Sequence, residues 1–106
     1  MSGALVILCT CPDAGTAGKL ARSIVDQRLA ACVNILPAIR SIYSWQDEIQ
    51  DDEEALMVVK TMEHAYPLLE AWLLEHHPYD VPEVVAVQAN RVSPDYLAWI
   101  EAGVNP

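Results

Sequence analysis

The stretch Cys32-Val-Asn-Ile-Leu-Pro-Ala-Ile-Arg-Ser-Ile-Tyr-Ser-Trp45 decides the fold. It reads as one long strand in which Pro37 marks an edge position or a bulge, because proline cannot donate to a ladder. After the proline, Ile39, Ser41, Tyr43 and Trp45 share one face. A turn is expected at Gln46 to Glu48. Ile49 to Thr61 then returns as a second long strand, strongest over Ala55 to Val59. Both exceed the usual five or six residues, so the hairpin should protrude beyond its sheet.

Outward from this hairpin, Ala4 to Thr10 is a continuous apolar run, read as a strand buried on both faces. Cys9 ends it, and Cys11 is expected on the opposite pleat face. Asp13 is a good N-cap. Ala17, Leu20, Ala21, Ile24 and Val25 then recur at helical spacing, in a helix ending near Arg28. A second helix is expected over Glu63 to His76, with Leu68, Leu69, Trp72 and Leu73 as its apolar stripe. Pro67 is tolerable there only in the first turn. Pro78 and Pro82 bracket an extended link, and Val84 to Ala89 reads as a strand. Ser93-Pro94-Asp95 opens a short last helix as N-cap, N1 proline and first-turn acid. Gly103 is placed to end it.

The order is β-α-β-β-α-β plus a short C-terminal helix. This is the α+β, ferredoxin-like split βαβ pattern, with an antiparallel sheet in the order 4-1-3-2. Right-handed crossovers put both main helices on one face. The other face is left bare, which in an apolar-rich chain suggests oligomerisation. The 106 residues are read as one domain, 1–106.

Composition narrows the function. Six Lys and Arg stand against fifteen Asp and Glu, a formal charge of −9. Nucleic-acid binding rests on cations that neutralise phosphates, so a nucleic-acid partner is not expected. An anionic membrane surface is disfavoured for the same reason. No run approaches the ~20 apolar residues of a bilayer span, and the N-terminus lacks the basic residues of a signal peptide. A cytoplasmic location is expected. Three cysteines, an odd number, argue against a secreted disulfide framework.

The topology gathers chemistry at one rim. Strand one ends there, the second helix ends there and the fourth strand begins there. Cys9, Cys11, His76, His77 and Glu83 should therefore converge, with Trp45 reaching the same end. Thiolate and imidazole suit Cu(I), Cu(II) or Zn, and a carboxylate could complete the shell. The plainer alternative is that Cys9 is a small core residue. Cys32 is expected to be core packing. The acids Asp51, Asp52, Glu53 and Glu54 read as a solvated, charge-protected strand edge. Lys60 reads as an edge charge or salt-bridge partner. There is no phosphate loop, Gly-x-Ser-x-Gly elbow or His-Glu-x-x-His. A Cys9–His76 nucleophile pair has no evident third group or oxyanion hole.

The segments Leu29-Ala-Ala-Cys-Val-Asn-Ile35, Pro37, Ser41-Ile-Tyr-Ser-Trp45, Lys60-Thr61, His77-Pro-Tyr-Asp-Val-Pro-Glu83 and Asp95-Tyr-Leu-Ala-Trp-Ile100 resemble the CutA family of divalent-cation tolerance proteins. The match runs in order over nearly the whole chain. The resemblance implies a tight homotrimer, similar to PII signalling trimers without their nucleotide loops. It also implies a copper site at Cys9, His76 and His77, with Glu83 as a further candidate. Departures are Asp47, where members usually have Gly, and Gln88 and Val92, where they often carry Pro and Gly. The reading is a homotrimeric, cytoplasmic metal-binding protein linked to tolerance of copper or other divalent cations. It needs no organic cofactor and is not an enzyme, and Tyr43 and Trp45 on the hairpin reach a neighbouring subunit. The alternative is a PII-like signalling or scaffold trimer that binds a small ligand or protein partner in inter-subunit clefts.

Overall fold

The computed structural model describes residues 2–106. Its elements are β1 (Ala4–Cys11), α1 (Ala14–Asp26), β2 (Cys32–Trp45), β3 (Glu48–Met62), a 3-10 turn over Glu63–Ala65, α2 (Tyr66–His76), β4 (Val85–Gln88) and α3 (Pro94–Gly103). The sheet order is β2-β3-β1-β4, with every pair antiparallel. This is the expected split βαβ order.

Strand β1 is the inner strand that organises the core. It pairs with β3 from Ala4↔Met62 to Cys11↔Ala55 and with β4 from Leu5↔Gln88 to Leu8↔Val85. Ile7, Cys9 and Cys11 are fully buried beside Ala55, Met57 and Val59. Ala17, Leu20, Ala21 and Ile24 of α1 and Leu69 and Leu73 of α2 close over them in one cluster. The residues between, Val6, Leu8 and Thr10, are only partly covered and face the other way. Cys9 and Cys11 thus share a face, contrary to the expectation of opposite faces. Successive strand residues alternate, so residues two apart point the same way.

Helix α1 begins as expected: the Asp13 carboxylate accepts the Thr16 N–H at 2.7 Å. That bond holds the Asp13 carboxyl below its ordinary range. The helix stops at Asp26, short of Arg28. Arg28 takes a left-handed φ of 59°, its N–H bonds to Val25 O, and the Leu29 N–H reaches back to Ile24 O. This pair of bonds is the Schellman closure, here with arginine at the usual glycine position.

The long hairpin forms. Its ladder runs from Cys32↔Lys60 to Trp45↔Glu48, with a register shift between Leu36 and Ile39 at Pro37. Strand β1 covers β3 only from Ala55 onward, so Glu48–Glu54 project past the sheet by about 23 Å at ~3.3 Å per residue. The molecule measures 44 × 25 × 22 Å. Gln46 and Asp47 both have positive φ, 52° and 64°. They make the two-residue turn that matches strand twist, without glycine.

Several expectations are corrected. Leu68 is 67% exposed: α2 buries the direction shared by Leu69 and Leu73, and at about 100° per residue Leu68 falls outside that narrow stripe. Ser93 precedes α3 without a side-chain cap bond. Cys32 lies outside the core: it pairs with Lys60 on the outer face, and its thiol points at Asn34 Oδ1 at 3.7 Å. Lys60 has no carboxylate partner among the described residues; its ammonium meets the Tyr96 hydroxyl at 3.4 Å and sits over that ring. Gln88 donates to Glu63 Oε1 at 2.9 Å, and Val92 packs against the small cluster around Ile100.

The face opposite the helices carries Val6, Leu8, Leu56, Val58, Val85 and Val87. Val85 and Val87 are about half exposed (48% and 51%). The hairpin adds exposed Trp45 to this face, while Ile42 and Ile49 are exposed on its other side. Scattered apolar residues are ordinary on a surface, but a contiguous sheet of them marks an interaction face.

Gly103 is the last residue of α3, and its reason lies in packing. A Cβ there would stand 2.8 Å from Ala31 Cβ and 3.2 Å from Ala31 Cα. Backbone at that distance cannot move aside without shifting the strand entry. Gly103→Ala is expected to destabilise the fold: overpacking costs about 1–3 kcal/mol, and the gain in helix propensity offsets less than ~1 kcal/mol at a helix end. Urea unfolding should show a lower midpoint, and an unchanged or higher midpoint would contradict the close approach.

Candidate metal centre

The rim is built from three elements. Strand β1 delivers Cys9 and Cys11 on its core face. Helix α2 ends when the His77 N–H bonds to Leu73 O at 2.9 Å, which turns the His77 ring back over the end of β1. The Cys9 and Cys11 sulfurs and a His77 ring nitrogen lie within 4.8 Å of one another, and all three residues are buried. His77 is 7% exposed, and its Nε2 stands 3.9 Å from the Cys11 sulfur.

The ring's tautomer follows from its partners. The Tyr79 N–H donates to Nδ1 at 3.1 Å. Nδ1 must therefore be bare, and Nε2 carries the hydrogen that it donates to Thr10 O at 2.8 Å. The imidazole is held by main chain on both sides. A metal at Nε2 has to displace that proton and free the Thr10 carbonyl. The two thiols differ in acidity. Cys9, hydrogen-bonded to the Cys11 sulfur and buried, holds its proton far more tightly than a free thiol. Cys11, receiving that bond, is lowered.

The other expected residues lie elsewhere. His76 is exposed at the end of α2, outside the cluster; its Nδ1 donates to Trp72 O at 2.8 Å and its ring stacks on Trp72 at 4.4 Å. Glu83 is exposed and sits beside Thr10 in the wall of a groove. Its charge still contributes to raising the Cys9 thiol. Tyr43 and Trp45 lie on the projecting hairpin, and the Tyr43 hydroxyl donates to Asp52 at 2.7 Å. Cys11, expected at this rim but on the other pleat face, joins the cluster, and Thr10 and Tyr79 enter its framework in addition. Period-two alternation along β1 was the signal for Cys11. The Thr10 and Tyr79 contacts are made by main-chain atoms, which residue types do not announce.

Donor chemistry fits a soft ion. Two sulfurs and one imidazole nitrogen, converging in an apolar core, are ligand types that suit copper or zinc, while carboxylate and water sites suit Mg or Ca. Among the described residues this is the one group of three or more such side chains close enough to share an ion.

The fold is thus an α+β domain with a protruding hairpin and a soft-donor cluster at the end of β1. The family model described as CutA1 divalent ion tolerance protein matches residues 5–103. The chain is 45% identical over 95 residues to the divalent-cation tolerance protein CutA of Thermus thermophilus, covering 90% of this chain and 92% of that one. It is 44% identical over 91 residues to protein CutA of Mus musculus, covering 86% of this chain and 51% of that one. The chain thus spans about half the length of the mouse relative. The solved Thermus thermophilus structure, titled a divalent cation tolerance protein, superposes with a TM-score of 0.92 at 42% identity, over 96% of this chain and 99% of that one. The chain belongs to the CutA1 divalent ion tolerance family.

The doubly anchored His77 ring yields a stability prediction. His77→Ala leaves the Thr10 carbonyl and the Tyr79 N–H without their ring partner in a partly buried place. An orphaned buried polar group costs about 1–3 kcal/mol. Urea unfolding at pH 7 should show a loss of that size, and a loss below ~0.5 kcal/mol would mean that water replaces the ring at no cost.

Proposed function

We propose that the chain assembles as a cytoplasmic homotrimer that binds copper, or another divalent cation, and buffers it without catalysing a reaction. The observation that carries the reading is the convergence of the Cys9 and Cys11 sulfurs with the His77 imidazole. These residues are proposed to hold the ion. His76, with its Nε2 free at the surface, and Glu83 are proposed as the outer donors that pass it inward. The bound ion would supply no chemistry of its own here, since buffering requires only affinity. The trimer is supported by the bare apolar sheet face and the projecting hairpin. Three hairpins around a three-fold axis would cover exposed apolar surface within a closed assembly, and Tyr43 and Trp45 would meet the neighbour. A second reading, a signalling or scaffold trimer that takes a small ligand, is favoured by a groove of about 970 Å³ beside the hairpin.

Competition for Cu(I) against a chromophoric chelator tests the metal reading. Cys9→Ser/Cys11→Ser should weaken binding by at least about 100-fold, because thiolate is the ligand soft enough for the ion. His77→Asn should weaken it by about 10–100-fold. Affinity should fall as pH drops, since the ligands bind deprotonated, and the tightly held Cys9 proton should be released on binding. Equal affinity in the wild type and the double thiol variant would refute the site.

A further inference from the structure

Helix α2 is apolar on nearly every side. Leu69 and Leu73 are buried, and Tyr66 and Trp72 pack against the same core from the flanks. The side turned away from the core carries Pro67, Leu68, Ala71 and Leu74, with Glu75 as its one charged member, and all five are exposed. Leu68 is 67% and Leu74 55% exposed. A surface helix ordinarily turns polar residues outward, and one that is apolar all round is a buried helix. Among the described residues nothing covers this outer side.

The outer row has the form that another helix packs on. Leu68 and Leu74 stand about 9 Å apart along the axis at ~1.5 Å per residue, with the small Ala71 midway. A bulky side chain of a second helix fits the notch over Ala71, as the ridges of one helix enter the grooves of another. The row belongs to the helix layer, on the opposite side of the sheet from Val6, Leu8, Val85 and Val87. Docking there does not compete with an assembly closed over the bare sheet face.

Charge selects the occupant. From Thr61 to Asn90 the chain has no Lys or Arg, while it carries Glu63, Glu70, Glu75, Asp80 and Glu83. Glu70 flanks the apolar row, its carboxylate accepting the Tyr66 hydroxyl at 2.6 Å, and Glu75 stands within the row. At a net charge of −9, a second copy or an anionic membrane is repelled and a cationic partner is drawn in. We propose that the outer face of α2 docks a basic amphipathic helix of a partner protein. Large apolar side chains of that helix pack on Leu68, Ala71 and Leu74, the helix-on-surface mode of recognition, and its lysines or arginines meet Glu70 and Glu75. The site needs neither the thiol cluster nor a particular subunit number.

Fluorescence anisotropy of a labelled leucine–lysine peptide, patterned so that its leucines form one helical face, tests this on the full chain. Binding should be saturable, and main-chain hydrogen exchange over Tyr66–His76 should slow when the peptide is bound. Leu68→Gln/Leu74→Gln changes two exposed side chains and should weaken binding by about 10–100-fold. Val25→Gln/Val81→Gln changes two exposed apolar residues outside α2 and should leave binding within about twofold. Glu75→Gln should weaken binding by about threefold and flatten its salt dependence. Sedimentation should give the same assembly for the wild type and the leucine variant. Absence of saturable binding overturns the proposal, as does equal binding by the leucine variant. Equal binding of a leucine–glutamate peptide of the same pattern overturns the charge selection. A smaller assembly in the leucine variant overturns the proposal too, since a second copy would then occupy the face.

Discussion

Strand β1 is hydrogen-bonded along both edges, so its side chains have only two directions to take. One set, Ile7, Cys9 and Cys11, goes beneath the helices; the other, Val6, Leu8 and Thr10, faces the bare side. Much else depends on this alternation. It brings two sulfurs side by side at the end of the core. It leaves the Thr10 carbonyl available to the His77 ring. It also puts half of an apolar strand on a face that no helix of this chain covers. The thiol cluster and the bare apolar face are two sides of one strand.

The site has tension built into it. His77 is the residue best placed to complete a sulfur pair, yet both its nitrogens are in use. The helix end fixes the ring in position, and the Tyr79 N–H fixes its tautomer against direct ligation through Nε2. Binding an ion there exchanges a hydrogen bond for a coordination bond. The unequal thiols add a proton to that exchange. On the proposed reading, loading an ion there would release protons, and occupancy would be sensitive to pH.

Much of this was legible in the residues. The apolar run of β1, the 3.6-residue stripe of α1, the Asp13 cap and the paired long strands set the element order, and chirality set the sheet order. The rim followed from topology alone, and it contained Cys9 and His77. What escaped has physical causes. Cys11 was given to the wrong face, although residues two apart on a strand must share one. Leu68 was read into the α2 stripe because an apolar residue at helical spacing looks buried. The helix buries only the direction of Leu69 and Leu73, and the hydrophobic spacing alone did not say which edge of the stripe faces solvent. The Gln46–Asp47 turn lacks the glycine that usually announces positive φ. The tautomer of His77 depends on two main-chain atoms brought in from other elements, which no local pattern specifies.

The central claim is that buried sulfur, supplied by alternation along β1, is what the chain offers to a metal. X-ray absorption at the copper edge of the copper-loaded protein measures this directly. The account predicts sulfur in the first coordination shell, two per ion, with nitrogen from an imidazole beside it. A shell made only of oxygen and nitrogen would contradict it and move the bound ion to the acidic surface of the hairpin.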